Sequence, residues 1–70
     1  MISLEQIKAR IAEKIQQSGL SQAEIAKALN IGQPTVAHYV KGDKTPRLDT
    51  LANLCKVLNV SPSYILYFDE

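Results

Sequence analysis

Apolar residues recur along most of this chain with the period of a helix, broken at regular intervals by small or polar residues. Ile7, Ile11 and Ile15 fall at i, i+4 and i+8 and make one stripe of a first helix over about Leu4–Gln17. Ser3 and Gln6 frame its start as a capping box, and Ser18-Gly19 ends it with glycine as a left-handed cap. A second helix runs about Gln22–Leu29. It opens on S-Q-A-E, another capping box, and carries Ile25, Ala26 and Leu29 on one face. After a break at Asn30-Ile31-Gly32, a third helix over about Gln33–Val40 turns Val36 and Tyr39 inward. KGDKTPR, from Lys41 to Arg47, is a polar loop punctuated by Gly and Pro. A fourth helix over about Leu48–Leu58 has apolar residues at 48, 51, 54, 55 and 58, with Asp49 suiting the dipole of its first turn, and Asn59 ends it. A fifth begins with Ser61 as N-cap and Pro62 at the first helical position, followed by Tyr64-Ile65-Leu66-Tyr67.

No segment pairs as strands, and there is no repeat, low-complexity tract or linker. The pattern therefore predicts an all-α fold, a compact five-helix bundle forming a single domain over residues 1–70. A chain of 70 residues buries only about 60% of its unfolded surface, so it needs an efficient core or a partner.

Composition narrows the function classes. The 46% hydrophobic content is that of a globular protein. One cysteine forms no internal disulfide, and Cys55 sits among Leu51, Leu54 and Leu58 as a buried thiol. No apolar run approaches the about 20 residues of a membrane span, and the charged MISLEQIKAR is unlike a signal peptide. A reducing, cytoplasmic setting without membrane contact is the expectation. Paired carboxylates, Cys–His or Ser–His–Asp sets and phosphate loops are all missing from the sequence, so neither an enzyme nor a cofactor is expected.

The chemistry lies in SQAEIAKALNIGQPTVAHYVK, residues 21–41. Two short helices joined by a tight break, with small Ala26 where they cross, have the layout of a helix-turn-helix, whose second helix enters a DNA major groove. Residues near that helix's N-terminus reach base edges. Here they are Gln33, Pro34 and Thr35, with Ala37, His38 and Lys41 one turn on. Gln suits bidentate contact with adenine, and Pro34 can touch a thymine methyl or only fix the helix entry. Thr35 can reach a phosphate or a base. His38 can donate to guanine or to a phosphate, or be an ordinary exposed residue. Gly32 leaves bare N–H groups that attract phosphate. Gln22, with the N–H groups behind Ser21, can hold another phosphate, although Ser21 and Glu24 could act only as caps. The net charge is only +1, but residues 26–48 carry Lys27, Lys41, Lys44 and Arg47 against Asp43 alone, and Asp69 and Glu70 offset this at the C-terminus. That local basic stripe is the electrostatic footprint of a nucleic-acid binder.

With these residues in place, the chain resembles the lambda-repressor-like, or Cro/C1-type (XRE), helix-turn-helix family. The resemblance runs from about Ile7 to Leu66. It is carried by G-L-S-Q-A-E-I-A, Leu29 and Ile31 around the turn, P-T-V-A-H-Y, the K-G after the third helix, T-P-R-L-D-T-L and L-N-V-S-P-S-Y-I-L. It implies five helices and sequence-specific operator binding, usually as a dimer. By position it implies base or phosphate contacts by Gln22, Gln33, Pro34, Thr35 and His38, and backbone contacts by the loop bearing Lys41, Gly42, Lys44 and Arg47. Two departures stand out. Many relatives pair a Glu at position 40 with an Arg at position 15, where this chain has Val40 and Ile15. Arg47 stands where a small N-cap is usual.

The expected function is a DNA-binding transcriptional regulator, a repressor of the phage or prophage type. It would act on a palindromic operator in double-stranded DNA, as a homodimer that could form only on DNA. Tyr64, Tyr67 and Phe68 crowd the last seven residues beyond what Ile65 and Leu66 need to supply a core, which favours a partner surface. The alternative is that Tyr64 and Phe68 fold back on the domain. A second function class is a protein-interaction module, an antitoxin or adaptor built on the same fold.

Overall fold

Three helices in this chain begin where a serine side chain takes up a free N–H group. The Ser3 hydroxyl accepts from Gln6 N–H at 3.2 Å while Gln6 Oε1 accepts from Ser3 N–H at 2.8 Å. Ser21 and Glu24 repeat the arrangement at 3.0 and 2.8 Å. Ser61 receives Ser63 N–H at 3.2 Å. The computed structural model describes residues 1–68, and its elements are α1 (Leu4–Gln17), α2 (Gln22–Leu29), α3 (Gln33–Lys41), α4 (Leu48–Leu58) and α5 (Pro62–Ile65). The third helix runs one residue past the expected end, to Lys41, because Gly42 (φ 82°) rather than Lys41 takes the left-handed conformation.

Helix ends follow an equally local logic. At Asn30 (φ 55°) the chain turns left-handed, with Ile31 N–H donating to Ala26 C=O at 3.0 Å and Asn30 N–H to Lys27 C=O at 3.2 Å. Asn59 (φ 56°) does the same for α4, with Val60 N–H on Cys55 C=O at 2.9 Å. Both are Schellman ends, with an apolar residue following the left-handed one. The last turn of the described chain has this form too: Phe68 N–H donates to Ser63 C=O at 2.7 Å, and Tyr67 occupies the left-handed position at φ 64°. A bulky residue there is an outlier.

Ile11, Ile15, Ile25, Ala26, Val36, Tyr39, Leu54, Cys55 and Ile65 form the core, with Ile7, Leu29, Ile31, Val40, Leu51, Leu58, Val60 and Tyr64 packed around it. Fully burying an Ile, Leu or Val side chain contributes about 1.5–3 kcal/mol relative to leaving it exposed. α3 packs on α1 and α2, α4 on α2, and α5 on α1. Ala26, at 4% exposure, permits the close crossing. The sequence pattern overestimates one face. Leu48 is 86% exposed at the first position of α4. Leu66 is also exposed, so Ile65 is the fully buried residue of the last turn, with Tyr64 packed beside the core. No helix among the described residues is long and apolar enough to cross a membrane.

Candidate nucleic-acid interface

The two helices of the motif differ at their N-termini. α2 closes its own start with both bonds of the capping box, and the Ser21 N–H and hydroxyl hold the Glu24 carboxyl below its ordinary pKa. The capping reading of Ser21 and Glu24 is thus realised. α3 starts at Gly32 with no side-chain cap and with Pro34 in its first turn. Gly32 has an extended backbone (φ −73°, ψ 147°), and a Cβ placed on it would meet Pro34 Cδ at 3.6 Å and Thr35 Oγ1 at 3.9 Å, ordinary contact distances. Glycine is not required there by the backbone. What it does is leave the first N–H groups of α3 without a competing side chain.

Val36 and Tyr39 anchor α3 in the core, so the opposite face points outward. Gln33, Pro34, His38 and Lys41 are exposed on it, with Thr35 and Ala37 half-buried at its margin. Gln22 is half-buried in the first turn of α2. Lys44 and Arg47 are exposed on the segment between α3 and α4. Arg47 is the N-cap residue of α4 by backbone conformation, but it makes no capping bond, and its guanidinium reaches Asp49 at 3.3 Å.

Asp43, a negative charge among these cations, is engaged by two of them. His38 Nδ1 lies 2.9 Å from Asp43 Oδ1, and Lys41 Nζ lies 3.9 Å from Asp43 Oδ2. The hydrogen bond from His38, with the Lys41 charge nearby, holds the Asp43 carboxyl below the usual carboxylate pKa. The sequence shows Asp43 only as the one negative charge of this stretch. Left-handed Gly42 (φ 82°) precedes it where the chain leaves α3.

The C-terminal aromatics are placed differently from expectation. Arg10 of α1 lies over the Tyr64 ring at 4.2 Å and the Tyr67 ring at 3.4 Å, and donates to Tyr64 C=O at 2.6 Å. The Tyr64 hydroxyl donates to Glu13, which raises the Tyr64 pKa, and Tyr67 donates to Gln6 C=O at 3.3 Å. Tyr64 and Tyr67 are therefore occupied on α1, while Phe68 stays 75% exposed. The surplus of aromatics inferred from the sequence reduces to Phe68, together with exposed Leu4, Leu48 and Leu66.

Comparison with known proteins fits this geometry. A helix-turn-helix family model matches residues 11–65. The chain is 39% identical over 61 residues to the HTH-type transcriptional regulator ImmR of Bacillus subtilis, covering 87% of this chain and 48% of that protein. It is 42% identical over 50 residues to the HTH-type transcriptional regulator DicA of Escherichia coli, covering 71% of this chain and 37% of that protein. The chain belongs to the Cro/C1-type helix-turn-helix family. It spans about half the length, or less, of these two relatives. At the two positions where many relatives carry charges, Ile15 is buried and half-buried Val40 packs against the same core.

Proposed function

We propose that this chain is a sequence-specific DNA-binding transcriptional regulator, a repressor of the phage or prophage type. The observation carrying the reading is that α3 is anchored by Val36 and Tyr39 and turns Gln33, Pro34, His38 and Lys41 to solvent. Laid in a major groove, that face puts the Gln33 amide at a base edge, where Gln pairs with adenine N6 and N7. Gln22 and the uncapped start of α3 meet phosphates. Lys41, Lys44 and Arg47 neutralise the backbone on either side.

A single recognition helix reads only a few base pairs. The regulator therefore acts as a homodimer on a two-fold symmetric operator, with half-sites about 34–36 Å apart. Phe68 is the aromatic available for the dimer contact, with Leu66 and Leu48 also exposed. Tyr64 and Tyr67 take part by holding the last turn against α1.

In vitro selection of bound DNA from a random pool tests the reading. A palindromic site is expected. Recovery of no preferred sequence would overturn the regulator reading, and a site without two-fold symmetry would overturn the dimer. Salt dependence separates DNA binding from a protein-interaction module. Lys44→Ala or Arg47→Ala should each weaken specific and random DNA alike and lower the slope of log affinity against log salt by about one unit. An unchanged slope in both variants takes the loop out of the interface.

A further inference from the structure

The His38–Asp43 pair bears on which group His38 presents to DNA. An ionised carboxylate only accepts hydrogen bonds. The Asp43 carboxylate therefore accepts, and at 2.9 Å the proton of the shared bond belongs to His38 Nδ1. A neutral imidazole carries one N–H, and when that sits on Nδ1 the other nitrogen, Nε2, is an acceptor. Lys41 is engaged with the second oxygen of the same carboxylate. The loop after α3 thus grips the recognition helix at the side chain best placed to read a base one turn beyond Gln33.

We propose that Asp43 is a specificity-determining positioning residue: it fixes neutral His38 in the Nδ1–H form, so that Nε2 reads a hydrogen-bond donor in the major groove, the exocyclic amine of adenine or cytosine. This rests on α3 lying in the major groove. It reverses the reading of His38 as a donor to guanine. Guanine offers only N7 and O6 acceptors in that groove, which an acceptor at Nε2 cannot engage. The negative charge near DNA then has a use, since it sets the ring that makes the contact.

Two measurements test this, and the first needs no DNA. Long-range 15N–1H NMR of the free protein, at alkaline pH with the ring neutral, reports which ring nitrogen carries the proton. The Nδ1–H form is expected in the parent, with a shift towards Nε2–H in Asp43→Ala. An Nε2–H ring in the parent overturns the proposal while leaving the regulator reading intact. The second uses the selected operator at the same pH. His38→Ala identifies the base pair whose preference it abolishes. Deleting the exocyclic amine at that pair should then weaken the parent on the order of ten-fold, the effect of one lost hydrogen bond. The same deletion should matter far less to Asp43→Ala, and replacing purine N7 by carbon should matter to neither. Asp43→Ala also removes a negative charge and should bind all sequences somewhat more tightly. If that uniform gain is its only effect, or if N7 rather than the amine is the group read, Asp43 does not position His38. Failure to select any operator would instead remove the regulator reading on which the DNA arm stands.

Discussion

Two corners of this molecule are built from nearly the same letters. α2 ends in Leu29-Asn30-Ile31-Gly32 and α4 in Leu58-Asn59-Val60-Ser61. Each asparagine is left-handed, at φ 55° and 56°, and each corner leads to a helix with Pro in its first turn. Beyond the corner they diverge. α3 runs 9 residues with a polar outer face, whereas α5 runs 4 residues and is pinned to α1 through Tyr64 and Arg10. The starts differ as well, since Ser61 caps its helix and Gly32 does not. The comparison teaches that the corner itself is a folding device. Binding capacity depends on what the following helix leaves exposed.

The largest effects should fall on the core beneath both corners. Ile25→Ala and Ile65→Ala remove side chains exposed by 0% and 2%, and each should cost about 2–5 kcal/mol in urea unfolding. Equal losses make the corners equally integral. A much smaller loss for Ile65→Ala would mark α5 as an accessory. Next comes the difference in use. Gln33→Ala should leave stability within about 0.5 kcal/mol yet cost about 1–3 kcal/mol of binding, confined to one base pair. Ser63→Ala, in the first turn of α5, should change neither. Uniform weakening on all sequences by Gln33→Ala would reduce Gln33 to a backbone contact.

A smaller effect tests the shared turn. Asn30→Ala and Asn59→Ala force an alanine into the left-handed region and should each lose about 1–2 kcal/mol by thermal unfolding, whereas Gly at either position should hold stability or raise it. The smallest effect converts one corner towards the other. Gly32→Ser gives α3 the cap that Ser61 gives α5. A gain of only a few tenths of a kcal/mol is expected, because Gly is already a tolerable N-cap. If the uncapped N–H groups meet phosphate, DNA affinity should fall slightly as stability rises. A parallel rise in both would argue against a phosphate there.

What could be read from the sequence follows the range of the interactions. Ser3, Ser21, Asn30 and Asn59 set helix ends through bonds to neighbours within a turn, so their letters placed α1, α2 and α4 on their observed boundaries. The outward face of α3 was legible because Val36 and Tyr39 define its inner side by period alone. Leu48 misled because periodicity reports a stripe on the helix and not how far that stripe is covered. The packing of Tyr64 and Tyr67 on α1 was not legible, because their partner, Arg10, lies 54 residues from Tyr64, and an Arg in a helical stripe carries no local mark of a distant ring. The His38–Asp43 bond spans five residues. It needed the turn at Gly42 to be followed in three dimensions before the two side chains could be seen to meet.

Cys55 gives the molecule an internal gauge of local opening. It is the one cysteine in the chain, sits 4% exposed in α4 at the second corner, and burial raises its thiol pKa. Only the thiolate of an accessible cysteine reacts rapidly, so a thiol reagent must wait for the corner to open. Under conditions where reclosing outruns labelling, the modification rate divided by that of an unfolded thiol gives the opening equilibrium directly. One reagent and no engineered label would thus report how far the equilibrium at Cys55 lies towards opening, with and without DNA on the opposite corner.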